Sequence, residues 1–67
     1  MKVYLVETTN EHSISNAYGI FDSLEKARQR VYDMMLETKQ PKYNDCGIEI
    51  YEHDDLSISI EEFELND

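Results

Sequence analysis

Residues 22–40, DSLEKARQRVYDMMLETKQ, decide how this chain folds, because no other stretch is long and periodic enough to predict a helix. Side chains of one helical face recur there at steps of three and four: Leu24, Ala27, Val31, Met34, Met35 and Thr38. Asp22 is the expected N-cap, with Glu25 completing a capping box, and Pro41 ends the pattern. The sequence therefore predicts one helix against which the remaining segments pack as strands.

The segment before this helix predicts a β-hairpin. Residues 2–8 (KVYLVET) are rich in β-branched and aromatic side chains, which favours a central strand. Residues 9–15 are polar and turn-like, and residues 16–21 (NAYGIF) predict a short second strand. Gly19 weakens that strand and indicates a bulge or a close approach.

The segment after the helix predicts a second hairpin. Residues 40–47 have the composition of a loop, and residues 47–53 (GIEIYEH) alternate between apolar and polar side chains. A turn is expected at residues 54–55, followed by a strand over residues 56–65. Because the apolar alternation changes phase within that strand, we expect a bulge at residues 61–62 that returns its last apolar side chains to the core.

The predicted element order is β-β-α-β-β in a single domain spanning residues 1–67. Its fold class is α+β, with an antiparallel sheet of two hairpins and one helix packed on one face. One helix leaves the other sheet face open, and we expect Tyr4, Val6 and Tyr51 to line it. An apolar face of this kind is a candidate self-association surface, so a homodimer is one expectation.

Charge is unevenly distributed along the chain. Fifteen acids and six bases give a net charge of −9, and residues 1–44 sum to zero with six of each. Residues 45–67 therefore hold the whole excess, with nine acids and no Lys or Arg. This distribution argues against direct binding to nucleic acid, because affinity for phosphates comes from basic side chains.

Composition also sets an expectation for location. A single cysteine excludes an internal disulfide, and no apolar run has the length of a signal peptide or a membrane span. We expect a cytoplasmic protein that does not associate with membranes.

Residue types suited to chemistry occur without the spacing that chemistry needs. The candidate metal ligands are His12, Cys46, His53, Asp54 and Asp55. They lack the paired short spacings of a metal site, and the run at residues 53–55 is better interpreted as a turn. Paired carboxylates on exposed strands lack a pocket that would raise a pKa, and no base is fixed beside Cys46. We expect no cofactor, no metal and no enzymatic activity.

The acidic second hairpin is the predicted site, a surface that binds a basic protein. Carboxylates two residues apart on a strand lie about 6.6–7 Å apart on one face, close to the spacing of phosphates along a nucleic-acid strand. This DNA-mimic hypothesis involves Glu49, Glu52, Asp54, Asp55, Glu61, Glu62 and Glu64. Two alternatives stay open: the acids serve solubility alone, or the protein is an accessory or structural component that self-associates through the open sheet face.

Three stretches carry a family resemblance: residues 1–7 (MKVYLVE), 19–27 (GIFDSLEKA) and 60–67 (IEEFELND). In them the chain resembles small uncharacterised proteins encoded by phages and prophages, mostly of Gram-positive bacteria. The resemblance implies the same fold and a place in the host bacterial cytoplasm, and it transfers no active site. It further implies a protein that inhibits or modulates a basic host protein, either a defence enzyme or a nucleic-acid-binding protein.

Overall fold

One antiparallel sheet and one helix form the computed structural model, which describes residues 1–65. The elements are β1 (Lys2–Thr9), β2 (Ser15–Phe21), α1 (Leu24–Met35), β3 (Tyr43–Asp45), β4 (Ile48–His53) and β5 (Leu56–Glu64). The strand order is β2-β1-β5-β4-β3, and every neighbouring pair is antiparallel. This confirms the α+β class with one helix on one sheet. At 12 residues α1 is too short to cross a bilayer, and residues 1–65 contain no other helix.

The two-hairpin prediction is incomplete because a fifth strand forms where we expected a loop. In β3, Tyr43 pairs with Ile50 and Asp45 pairs with Ile48, so β3, β4 and β5 form a meander. Gly47 turns the chain between β3 and β4 with φ 80°. A strand of three residues is too short to show alternation, and the turn-forming residues within and around β3 favour a loop.

The helix is shorter than its periodic pattern. Ser23, rather than Asp22, is the N-cap, because its Oγ accepts a hydrogen bond from the Lys26 backbone N–H at 3.2 Å. Asp22 instead forms an ion pair with Lys26 Nζ at 2.9 Å. At the other end Leu36 adopts the left-handed conformation (φ 59°), so α1 ends at Met35, five residues before Gln40.

The core lies between α1 and the sheet. It consists of Val6, Ala27, Val31, Met35, Tyr51, Ile58 and Ile60, all at most 2 % exposed. The expectation that Tyr4, Val6 and Tyr51 line the uncovered face is therefore wrong for Val6 and Tyr51, and Tyr4 packs half-buried against the same core. Both faces of β1 are apolar, so its pattern could not indicate which face the helix covers.

The predicted bulge at residues 61–62 is absent. β5 pairs with β1 without interruption from Ser57 opposite Thr9 to Glu64 opposite Lys2. Phe63 consequently points away from α1 and is 45 % exposed. A bulge does occur in β2, as the sequence indicated near Gly19.

In the β2 bulge, Gly19 pairs with Val6 and Ala17 pairs with Glu7, which leaves Tyr18 as the extra residue. Gly19 has φ 142°, and a Cβ there would lie 3.1 Å from the Phe21 ring. Both observations favour glycine at this position.

Candidate functional site

The seven predicted partner-binding acids do not form one array. Successive residues of a strand point to opposite faces of the sheet, so neighbouring acids in sequence separate in space. The β4 and β5 registers place them as follows: Glu52 and Glu61 on the face away from α1, Glu49, Glu62 and Glu64 on the α1 face, and Asp54 and Asp55 at the turn between the strands.

Glu49 is buried at 5 % exposure and belongs to the fold rather than to the surface. Arg28 of α1 donates through Nε to Glu49 Oε1 at 3.0 Å and through Nη2 to Oε2, and Tyr51 donates its hydroxyl to Oε1 at 2.9 Å. The hydrogen bond from Arg28 holds the pKa of Glu49 below its usual range, and the same bond raises the pKa of Arg28. Burial, reinforced by Glu49, raises the pKa of the Tyr51 hydroxyl. This cluster fixes α1 against β4.

Three more of the predicted acids have a cation beside them. The ion pairs are Glu62 with Lys2 at 3.3 Å, Glu64 with the N-terminal amine at 3.2 Å, and Glu52 with Lys42 at 2.7 Å. The pairs of Glu64 and Glu52 are more than half exposed on both sides and so contribute little to stability, whereas the Glu62 side chain is 29 % exposed.

The sheet surface opposite α1, which we call the open face, is largely apolar and uncovered. Its central residues, given by the strand registers, are Val3, Leu5, Glu7, Ile20, Ile48, Ile50, Ser59, Glu61 and Phe63. Ile20 is 68 % exposed and Phe63 is 45 % exposed. Exposed apolar side chains grouped in this way are typical of interaction surfaces.

Two acids lie within the open face. Glu7 is opposite Ser59 and Leu5 is opposite Glu61, so Glu7 and Glu61 are diagonal neighbours on adjacent strands. Diagonal neighbours have Cα atoms about 7–8 Å apart, which lets one basic group contact both carboxylates. Within residues 1–65 neither carboxylate has a hydrogen bond or an ion pair. The pair is therefore the candidate site on this face.

A cleft of 480 Å³ lies on the other side of the sheet, between the first half of α1 and the β3–β4 turn. Arg28 and Glu49 line it but neutralise each other. Cys46 is exposed at its rim, and the described lining contains no histidine that could act as its base. The carboxylates of Asp45 and Glu62 also line the cleft, where Asp45 accepts from the Tyr43 hydroxyl and Glu62 pairs with Lys2.

The candidate metal ligands are not brought together. His53 contacts Asp54 at 3.5 Å, and His12 contacts Glu11 at 3.5 Å in the separate β1–β2 turn. Among the residues that the structure describes, no three His, Cys, Asp or Glu side chains are grouped so that they could hold a metal ion.

Glu7 was not among the site residues predicted from the sequence. Its position could have been found, because alternation in KVYLVET places Glu7 on the same side as Val3 and Leu5. The pattern does not indicate which side of β1 the helix covers, because both sides of β1 are apolar.

Comparison with protein-family models, with curated protein sequences and with solved structures finds no match for this chain. These comparisons therefore do not support the resemblance to small phage-encoded proteins, which stays a prediction from residues 1–7, 19–27 and 60–67.

Proposed function

We propose that this protein is a non-enzymatic binding protein that inhibits or modulates a basic, nucleic-acid-binding protein. The observation that carries the proposal is the pair Glu7 and Glu61, two carboxylates without a cation in residues 1–65, on the same sheet face as the exposed apolar side chains of Ile20 and Phe63. The net charge of −9 supports it, because long-range attraction then steers basic partners toward the chain.

The chemistry of the open face favours a particular kind of segment. Apolar side chains such as Ile20 and Phe63 offer area that a partner can cover. A Lys or Arg of the partner placed between Glu7 and Glu61 gains charge-assisted hydrogen bonds at the centre of that area. Proteins that bind nucleic acid present such basic side chains on their surfaces, and occupying them blocks the approach of phosphates.

The exposed acids at one end of the sheet extend this surface. Asp54 and Asp55 lie at the β4–β5 turn, and Glu52 lies on the open side of β4. In the DNA-mimic form of the proposal these acids attract the basic partner, while Glu7 and Glu61 fix it. The phage resemblance makes a host defence nuclease or a transcription or replication protein the first target class to test, in the bacterial cytoplasm.

Self-association through the open face is a weaker second candidate. Two copies placed face to face would bring Glu7 and Glu61 of both copies into one interface, while Lys42, the basic side chain that reaches this face, already pairs with Glu52 at 2.7 Å. Like charges held close together across an interface oppose association. The same two acids that favour a basic partner therefore disfavour a second copy on this face.

The first experiment is an affinity capture from a Gram-positive bacterial lysate, with the purified protein immobilised. The column is washed at about 0.1 M and then about 1 M salt, over which the Debye length falls from about 10 Å to about 3 Å. We expect a nucleic-acid-binding protein that salt and competing DNA both displace. Retention that is indifferent to salt would contradict the proposal.

Matched variants then locate the surface. Replacing Glu7 and Glu61 with Gln removes two negative charges from the open face, and replacing Glu25 and Glu37 with Gln removes two from exposed positions on α1 and just after it. We expect the first pair of changes to weaken the captured complex about tenfold or more, equivalent to about 1.4 kcal/mol, and the second to leave it nearly unchanged. Equal losses would show that only total charge matters and would remove the open face from the proposal.

A further inference from the structure

The two outer strands of the sheet differ in how they are protected. An exposed strand edge presents unpaired N–H and C=O groups, and proteins usually shield it with charge, proline or short length. β3 has three residues, includes Asp45 and follows Pro41 and Lys42. β2 has seven residues and contains no charged side chain. β3 is thus shielded by short length, charge and proline, whereas the bulge at Tyr18 is the one such feature of β2.

Both the sequence and the exposure of its side chains show that the β2 edge is uncharged and apolar. Residues 12–21 form the longest run without Asp, Glu, Lys or Arg in a chain whose charged content is 31 %. Within or beside β2, Ile14 is 57 % exposed, Tyr18 is 42 % exposed and Ile20 is 68 % exposed. The nearest acid after the strand, Asp22, is neutralised by Lys26 at 2.9 Å. β2 thus offers a neutral, apolar edge on a strongly anionic protein.

We propose that a second copy of this chain pairs with the outer edge of β2, strand to strand and antiparallel. This inference is independent of the proposed function, because it uses the edge of the sheet rather than its open face. Each copy is paired through β2 only to β1, so its outward backbone groups are free to form the new ladder. The product is a continuous ten-stranded sheet with both helices on one side.

The charge distribution favours β2 as the place where two copies meet. Two chains of net charge −9 repel each other, and the repulsion is smallest where the contacting strand is uncharged. A strand paired antiparallel with its own copy also satisfies the two-fold symmetry that most homodimers use. A basic partner, by contrast, is drawn to the acidic surfaces and gains nothing electrostatic at β2.

The bulge at Tyr18 limits how tight this pairing can be. A bulge bends its strand and interrupts the regular ladder, so regular pairing is confined to residues 15–17 and 19–21. We therefore expect a monomer–dimer equilibrium rather than an obligate dimer.

The affinity of this dimer should depend on salt in the opposite direction to the affinity for a basic partner. Salt screens the repulsion between two anionic copies, so dimerisation should tighten as salt rises. Binding of a basic partner should weaken over the same change. The two proposals can therefore fail separately.

The test is sedimentation velocity on the purified chain from about 10 μM to about 1 mM, at about 0.1 M and about 1 M salt. We expect a dimer whose dissociation constant decreases at high salt. Amide hydrogen exchange in β2 should slow as the fraction of dimer increases. A monomer at every concentration and salt, or a dimer with unprotected β2 amides, would overturn the inference.

Two matched variants test the edge directly. Tyr18→Glu places a carboxylate on β2, and Tyr43→Glu makes the same change at a similarly exposed tyrosine (50 %) on β3. We expect Tyr18→Glu to raise the dissociation constant at least tenfold and Tyr43→Glu to change it less than threefold. The reverse ranking would assign the dimer to the other edge, and circular dichroism melting checks that both variants fold.

Discussion

Arg28 of α1 and Glu49 of β4 form a bidentate ion pair, and the Glu49 carboxylate is buried. Glu49 Oε1 also accepts a hydrogen bond from the Tyr51 hydroxyl. Tyr51 in turn meets the Tyr32 ring edge-on, with 6.2 Å between centroids. In residues 1–65 no buried side-chain nitrogen or oxygen lacks a hydrogen-bond partner. The pair therefore fixes the position of the helix and leaves none of its buried polar atoms without a hydrogen bond.

Removing the cation of this pair should destabilise the fold. Arg28→Met keeps much of the side-chain length but leaves a buried carboxylate with only the Tyr51 hydroxyl as donor. Breaking a fully buried pair costs about 3–5 kcal/mol. Because the Arg28 side chain is 38 % exposed, we expect a smaller loss, about 2 kcal/mol in the free energy of unfolding. Urea denaturation followed by circular dichroism measures it.

Lys26→Met is the matched control for Arg28→Met. Lys26 lies on the same helix and pairs with Asp22, but both side chains are more than 60 % exposed. We expect little change in stability from this substitution. If the two variants lose equal stability, the buried pair is no more important than an ordinary surface pair.

The same pair predicts part of the acid sensitivity of the protein. The pKa of Glu49 is lower in the folded chain than in the unfolded chain, where it is about 4.3. The stabilisation is therefore present above about pH 4.3 and is lost as pH falls through the folded-state pKa. The difference in unfolding free energy between the natural chain and Glu49→Gln should be largest near pH 7 and should shrink below about pH 4.

Comparing the two proteins at each pH isolates Glu49, because both share every other acid, including those whose mutual repulsion is relieved at low pH. Urea titrations at several pH values give the two stability curves. Parallel curves down to about pH 3 would mean that Glu49 has the same pKa in the folded and unfolded states.

Leu36 offers a stabilising substitution at the end of α1. It is 91 % exposed and has φ 59°, a conformation that costs an L-residue other than Gly about 1–2 kcal/mol. Leu36→Gly removes that strain and loses almost no burial, although it adds flexibility to the unfolded chain. We expect a net gain of about 0.5 kcal/mol in urea denaturation. Leu36→Ala keeps the strain, so an equal gain from it would contradict this explanation.

Much of the fold follows from local patterns in the sequence. The amphipathic spacing of Ala27, Val31 and Met35 identified the helix and its buried face correctly, as their complete burial shows. Alternation identified β4 and β5, and residue composition identified β1 and β2. The Asp54–Asp55 turn is also confirmed, since Asp54 takes the positive φ (53°) that turns require.

The remaining features depend on contacts between distant parts of the chain. Residues 36–40 continue the helical pattern, but the left-handed Leu36 ends the helix first. The phase change in β5 suggested a bulge that would bury Phe63. An uncovered sheet face tolerates a half-exposed Phe63, so the uninterrupted ladder with β1 forms instead.

For the candidate site, the sequence indicated the acidic character but not its placement. Glu49 looked like a surface acid, and only its approach to Arg28, which is 21 residues away, identifies it as a structural group. Glu7 looked unremarkable within a neutral first half. It becomes a candidate only when β5 places Glu61 diagonally beside it.

The central position of β5 has a consequence for how the chain is made. β1 is synthesised before β5, yet β5 is its inner neighbour: Val6 pairs with Ile60, and Thr8 with Ile58. Closing such a long loop costs entropy before its contacts form, which slows folding. The native sheet can therefore assemble only after residues 57–64 have left the ribosome. A chain that stops before Leu56 would leave α1 without Ile58 and Ile60 to pack on, and such a fragment would be a substrate for proteases rather than a working protein.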